Sequence, residues 1–243
     1  MVELPVRKAI IVGASSGIGK ALAELLSSKG YIVGLVARRT AMLLNIQKEL
    51  PSRTYIRTLD IRDSAAVQQG LTDLIADMGD VDLVVISAGI GHVNPELSVE
   101  KEMETIATNV SGFTAVANVV FHYFLQQGSG HLVGISSIAA IRGNADAPAY
   151  NASKAFVSNY LEGLRQKSAR LGLPICITEI QPGFVDTDMA KGKGLFWVTP
   201  VRKAAAQIYR AIESKRAHTY VSKRWRLVGW LLKGIPSTLY RRM

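Results

Sequence analysis

Seven short apolar runs recur along this chain, and longer segments of helical periodicity fill the intervals between them. The runs are Ala9–Val12, Ile32–Val36, Thr54–Leu59, Leu83–Ser87, His131–Ser136, Ile175–Gln181 and Thr219–Ser222. Most are continuously apolar rather than alternating, as strands are when a parallel sheet is covered on both faces. The intervals Ile18–Lys29, Ala41–Leu50, Ser64–Met78, Val99–Gln127, Ala149–Leu171 and Pro200–Ser214 read as helices. Such alternation predicts an α/β fold: a doubly wound parallel sheet of seven strands, with right-handed crossovers and helices on both faces. The 243 residues suit one domain spanning 1–243, with no linker, repeat or low-complexity segment to divide it. In such sheets, ligands collect at the carboxyl ends of the strands.

The chemistry-bearing residues fall at those ends. The first strand runs into Gly13-Ala14-Ser15-Ser16-Gly17-Ile18-Gly19 and then into an apolar-periodic helix. A glycine loop there lets backbone amides approach a pyrophosphate at the positive helix N-terminus; the bland alternative is a tight turn with no ligand. The spacing is G-x-x-x-G-x-G rather than the commoner G-x-G-x-x-G. Arg38 follows the second strand, Asp60 the third, Ala88-Gly89 the fourth, Ser137 the fifth and Pro182-Gly183 the sixth. Tyr150 lies thirteen positions after Ser137, and Lys154 four after Tyr150. On a helix that last spacing puts phenol and ammonium on one face. A phenol of pKa ~10 is a poor proton carrier near neutrality, and a nearby ammonium lowers that value and makes it useful.

In their order and spacing, VGASSGIG (12–19), LDI (59–61), SAG (87–89), ATNVSG around Asn109, ISS (135–137), YNASK (150–154) and PGFVDTDM (182–189) resemble the short-chain dehydrogenases/reductases. The resemblance covers nearly the whole chain and implies a Rossmann-type fold. Val12 stands where a Thr is usual and Ser87 where an Asn is usual; both positions brace nucleotide-binding turns in the family.

The resemblance implies an oxidoreductase that interconverts a carbonyl and an alcohol. Tyr150 becomes the general acid or base. Lys154 lowers its pKa and binds the nicotinamide ribose. Ser137 polarises the substrate oxygen, and Asn109 orders a water that relays protons to Lys154. The cofactor set is Gly13, Ser15, Ser16, Gly17, Ile18, Gly19, Arg38, Arg39, Asp60, Ile61, Ala88, Gly89, Tyr150, Lys154, Pro182, Gly183, Val185 and Thr187. Within it, Asp60 and Ile61 hold the adenine, while Thr187 and the Val185 backbone hold the carboxamide. The alternative for Asp60 is a helix-start signal before Ser64. Ala37 occupies the place where an acidic residue would select NAD(H), and Arg38 and Arg39 follow, so the expected cofactor is NADP(H). Solvated surface arginines are the alternative. A substrate lid is expected over 191–198, where Lys191-Gly192-Lys193-Gly194 reads as mobile and Phe196-Trp197 as its apolar face. Ile138, Asn144, Asp146, Phe184 and Trp197 are expected in the substrate pocket with Ser137 and Tyr150, which suits a bulky, partly apolar substrate.

Composition narrows the rest. Hydrophobic content of 48% and charged content of 20% are ordinary for a globular enzyme. One cysteine, Cys176 in an apolar run, allows no intrachain disulfide and reads as a buried strand residue. His92, His122, His131 and His218 are scattered without cysteine partners, so no metal is expected. The opening Met1–Pro5 is too short and polar for a signal peptide, which points to the cytoplasm. The net charge of +10 gathers in the tail: from Lys215 onward there are eight Lys or Arg and no Asp or Glu. The basic, Trp- and Leu-rich stretch 223–243 fits peripheral contact with an anionic membrane or, equally, a helix packed on the domain or across a subunit interface. No nucleic-acid-reading motif accompanies it. The family implies a homodimer or homotetramer pairing the helices Val99–Gln127 and Ala149–Leu171. Their apolar residues Ile106, Val110, Phe113, Phe156, Tyr160 and Leu164 would serve a core equally well. The rival function is a non-catalytic NADP(H)-binding redox sensor acting through partners. Intact Ser137, Tyr150, Lys154 and Asn109 argue against it. An epimerase or dehydratase is disfavoured because those relatives are generally longer.

Overall fold

The computed structural model describes residues 6–190 and 195–241. Seven parallel strands form one sheet: β1 Lys8–Val12, β2 Ile32–Ala37, β3 Thr54–Thr58, β4 Leu83–Ile86, β5 Gly130–Ile135, β6 Ile175–Pro182 and β7 His218–Val221. Their order is β3-β2-β1-β4-β5-β6-β7. The chain winds outward from β1 in one direction, returns, and continues from β4 in the other. The crevice between β1 and β4 is therefore the topological switch point, where such sheets bind ligands.

Both faces of the sheet are buried, which explains the unbroken apolar runs. Ile10, Val12, Val84, Ile86 and Leu132 point to one side and pack on α3 (Ser64–Met78), α5 (Phe113–Gln127) and α6 (Pro148–Leu171). Ile11, Leu35, Val85 and Val133 point to the other and pack on α1 (Gly17–Ser28), α2 (Thr40–Glu49) and α7 (Val201–Glu213). The expected strands and helices agree with this to within a residue or two, with one exception.

The single helix expected over Val99–Gln127 is three pieces. Helix α4 (Val99–Ile106) and α5 are joined by a π-helical turn, Ala107–Gly112. Gly112 lies so close to Ile61 that a Cβ there would meet its side chain at 2.7 Å. The bulge carries Asn109 and Thr108 at the rim of the crevice.

Phe156 stacks on Tyr160 at 5.5 Å, and Phe113 meets Tyr160 edge-on at 6.1 Å. These residues and Leu164 thus serve the core between α5 and α6. After β7 come α8 (Trp225–Gly234) and the short α9 (Ser237–Tyr240). Among the described residues no helix is long and apolar enough to cross a membrane. Cys176 is half-buried and its thiol is pushed up by burial.

Candidate active site

A cavity of 630 Å³ opens at the carboxyl ends of the strands, over the β1–β4 crevice. One end is the loop between β1 and α1. Gly13 has φ +93°, and a Cβ on it would meet the Ala88 backbone nitrogen at 2.5 Å, so only glycine lets the two loops meet. Gly17 has φ +55° where it starts α1. The loop and the helix N-terminus make a cradle that fits a pyrophosphate. Gly13, Ser15, Ser16, Gly17 and Ile18 all line the cavity, whereas Gly19 does not. A Cβ on Gly19 would meet the Gly13 carbonyl oxygen at 2.2 Å, so its place is to close the turn.

Arg38 and Arg39 line the same end. Arg39 is anchored: its Nη2 donates to Ser15 Oγ and to Ser16 Oγ, both at 2.8 Å. Asp60 and Ile61 line the wall beside them. Asp60 is gripped by Arg62, whose Nη2 donates at 2.6 Å and whose backbone amide donates at 3.0 Å. These contacts hold the Asp60 carboxyl below its ordinary pKa, against the upward push of burial. Sequence reasoning missed Arg62.

At the other end lie Ser137, Tyr150 and Lys154. Ser137 caps a short 3-10 turn after β5, and its Oγ accepts from the Ala139 amide at 3.1 Å. Tyr150 and Lys154 sit one turn apart on α6, whose first turn begins at Pro148. The Ser137 hydroxyl draws the Tyr150 phenol pKa down, but the larger effect of burial wins and the phenol ends above its ordinary value. The lowering expected from Lys154 is absent in this geometry. Lys154 Nζ donates to the Ile135 carbonyl at 3.2 Å and sits 5.8 Å from the centre of the Tyr150 ring. Burial brings the Lys154 ammonium down to about 8.

Asn109 stands behind the cavity wall. Its Oδ1 accepts from the Ile90 amide at 2.8 Å, and its Nδ2 donates to the Ile90 carbonyl at 2.7 Å and to Ser153 Oγ at 3.0 Å. Both Nδ2 donors are used within the protein, so any water that Asn109 orders is held by one of its oxygens. It fixes the Ala88–Gly91 loop, and Gly91 in turn packs on the Tyr150 ring.

Pro182, Gly183, Phe184, Val185 and Thr187 close the cavity, with Ile138 opposite. Three substrate-pocket expectations are corrected. Asn144 is exposed and its Oδ1 accepts from the Asp146 amide; neither residue reaches the cavity. Trp197 faces outward at 46% exposure because its ring packs on Phe196 and Trp225 beneath Arg224. Of the expected lid, Lys191–Gly194 lie outside the described residues, while Leu195 lines the cavity. His92, Val93 and Met189 also line it and were not foreseen. Met189 ends the PGFVDTDM stretch, while His92 and Val93 carry no motif and only the fold brings them there.

The family model described as short chain dehydrogenase matches residues 7–195. The chain belongs to the short-chain dehydrogenase/reductase family. The chain is 36% identical, over 194 residues, to an uncharacterized oxidoreductase of Myxococcus xanthus, covering 78% of this chain and 76% of that one. It is 32% identical to an uncharacterized oxidoreductase of Mycobacterium tuberculosis, covering 97% and 96%. It shares its fold with a short-chain dehydrogenase of Sphingobium yanoikuyae in complex with NADPH (23% identity, TM-score 0.79, 96% and 97% covered). It also shares it with a short-chain dehydrogenase/reductase of Burkholderia phymatum in complex with NAD (21%, 0.84, 95% and 94%). The protein is thus an oxidoreductase whose cavity suits a nicotinamide nucleotide.

Proposed function

We propose that this protein is an NADP(H)-dependent oxidoreductase that interconverts a carbonyl and an alcohol. One observation carries the reading: Ser137, Tyr150 and a buried Lys154 line one cavity with the glycine loop.

When bound, the nicotinamide supplies or accepts the hydride at the substrate carbon. Tyr150 is protonated near neutrality, because burial raises its pKa, and that is the state carbonyl reduction needs. It gives its proton to the substrate oxygen, which Ser137 holds and polarises. The Lys154 ammonium offsets the phenolate that forms. Its pKa of about 8 lets it return a proton to Tyr150, with Asn109 linking it to solvent water.

Arg38 and Arg39 favour NADP(H). Ala37 ends β2 with no carboxylate to repel a 2′-phosphate, and Ser15 and Ser16 hold the Arg39 guanidinium at the loop rim. Asp60 lies on that wall, with its charge offset by Arg62. The pocket beyond Tyr150 is apolar, bounded by Ile138, Phe184, Val93, Met189 and Leu195, and suits a bulky carbonyl. A homodimer or homotetramer fits the exposed Met103 and Ile106 of α4 (57% and 38%).

The test is consumption of NADPH and NADH against aldehydes, ketones, dicarbonyls and keto-sugars, with Tyr150→Phe and Arg38→Ala/Arg39→Ala as variants. Tyr150-dependent turnover with NADPH preferred, and the preference lost in the arginine variant, supports the reading. Turnover undiminished in Tyr150→Phe sinks it. Tight NADPH binding without turnover on any compound favours the redox-sensor reading.

A further inference from the structure

Helix α8 is apolar on two sides, and the chain covers only one. On the covered side, the Trp225 indole lies against the Gly183 backbone and is 2% exposed. One turn on, Gly229 packs against Ile141 and the Tyr220 hydroxyl. On the other side stand Leu227, Trp230 and Leu231, which are 62%, 59% and 67% exposed. Their spacing of i, i+3 and i+4 makes one continuous stripe along the helix. Leucine and tryptophan at such exposure, grouped on one face, mark a surface meant for something other than water.

The charges around the stripe say what that is. Lys223, Arg224, Arg226 and Lys233 flank it, all exposed, and no acidic residue occurs anywhere from Lys215 onward. The Arg226 guanidinium lies 5.1 Å from the centre of the Trp230 ring, so cation and aromatic sit side by side. Arg224 lies likewise over Trp197, at 5.9 Å, where exposed Phe196, Trp197 and Val198 extend the apolar surface around Trp225. A two-fold contact through this stripe would set these cations against their own copies, so self-association is a poor fit. An interfacial bilayer helix has the opposite requirements: an apolar stripe with Trp for the headgroup boundary, and cations beside it for anionic lipid.

We propose that α8 seats the protein on an anionic membrane surface, with Leu227, Trp230 and Leu231 entering the headgroup boundary and Lys223, Arg224, Arg226 and Lys233 held by lipid charge. The helix lies on the surface and does not cross it. The packing of Trp225 on Gly183 and Phe184 ties this seat to the wall of the cavity, so lipid contact and cavity meet at one aromatic cluster.

The experiment is sedimentation of the full chain with vesicles of phosphatidylcholine alone and with roughly one-third phosphatidylglycerol, at low and high salt. Two double variants accompany it, Leu227→Ser/Leu231→Ser and Arg226→Glu/Lys233→Glu, with circular dichroism and NADPH binding as folding controls; none of these positions lines the cavity. The expected result is binding to the anionic vesicles, lost at high salt and blue-shifting the tryptophan emission. Each double variant should weaken it by about tenfold or more while NADPH binding stays unchanged. The proposal is overturned if the folded protein ignores anionic vesicles at low salt, or binds neutral ones equally well. It is also overturned if either variant dissociates an oligomer in sedimentation velocity, which would make the stripe a subunit interface, or if the face binds acidic protein but not vesicles.

Discussion

Lys154 is held in place against its own stability. It is 6% exposed, has one hydrogen bond to a carbonyl, and burial brings its pKa to about 8. Between pH 8 and its unfolded value near 10.4, the unfolded chain binds a proton that the native state releases, so stability rises with pH across that window. Below pH 8 the full cost of the buried charge is present. Lys154→Met keeps the side-chain volume and removes the charge. We expect the apoprotein at pH 7 to gain about 1–3 kcal/mol in urea denaturation, an advantage that shrinks as pH rises above about 8 and is gone near pH 10.4, while turnover is lost. Tyr150→Phe removes the transferable proton but no charge. We expect turnover to fall by a factor of about 100 or more with NADPH affinity unchanged, read by steady-state rates and binding titration. Because Lys154 must be protonated to support the phenolate, kcat/KM for reduction should hold up to about pH 8 and decline above it.

The elements hold a second titration, away from the cavity. His131 on β5 is buried, and its Nε2 lies 2.8 Å from Thr178 Oγ1 on β6. The Thr178 hydroxyl gives its own proton to the Arg216 carbonyl at 2.6 Å, so Nε2 is the donor in the bond between them. Burial lowers the imidazole to about 4. At pH 7 neither state is charged and the group costs nothing. As pH falls from 6.5 towards 4 the unfolded chain takes up a proton that the native sheet refuses, and stability drops by up to about 3 kcal/mol. In His131→Gln the urea midpoint should change less between pH 7 and pH 4.5 than in the natural chain. The elements also show what periodicity can read. Continuous apolar runs located most of the strands, because burial on both faces leaves little other composition; the edge strands β3 and β7 are mixed in composition and only partly buried. The same periodicity merged α4 and α5: one extra residue in a π-helical turn shifts the pattern too little, and the causes, Gly112 against Ile61 and Asn109 bonded to the Ile90 backbone, are distant in sequence.

At the scale of the whole molecule, the site is where a doubly wound sheet reverses its winding. That is why so much of it was legible: residues following a strand's carboxyl end must face the crevice, and the glycine loop, Asp60, Ala88, Ser137 and Pro182 all follow one. Legibility failed where the chain leaves the sheet. Asn144 and Trp197 sit on connections that turn away from the crevice, Asn144 onto the nearby Asp146 amide and Trp197 onto distant Trp225, and His92 reaches the cavity from beyond the last residue of the SAG stretch. The same topology makes cofactor binding a test of the entire fold. The cavity wall draws on loops after six of the seven strands, so a dinucleotide bound there bridges segments that separate on unfolding. Such a ligand stabilises by RT ln(1 + [L]/Kd), about 2.7 kcal/mol at a hundredfold excess over Kd. For a chain of this size each kcal/mol moves the melting midpoint by roughly 2–4 °C. Saturating NADPH should therefore raise Tm by roughly 5–10 °C. At equal concentration NADH should raise it less, because it lacks the phosphate that Arg38 and Arg39 would hold. Arg38→Ala/Arg39→Ala should bring the two shifts together by lowering the NADPH shift alone; equal shifts in the unaltered protein would show that these arginines do not select the cofactor.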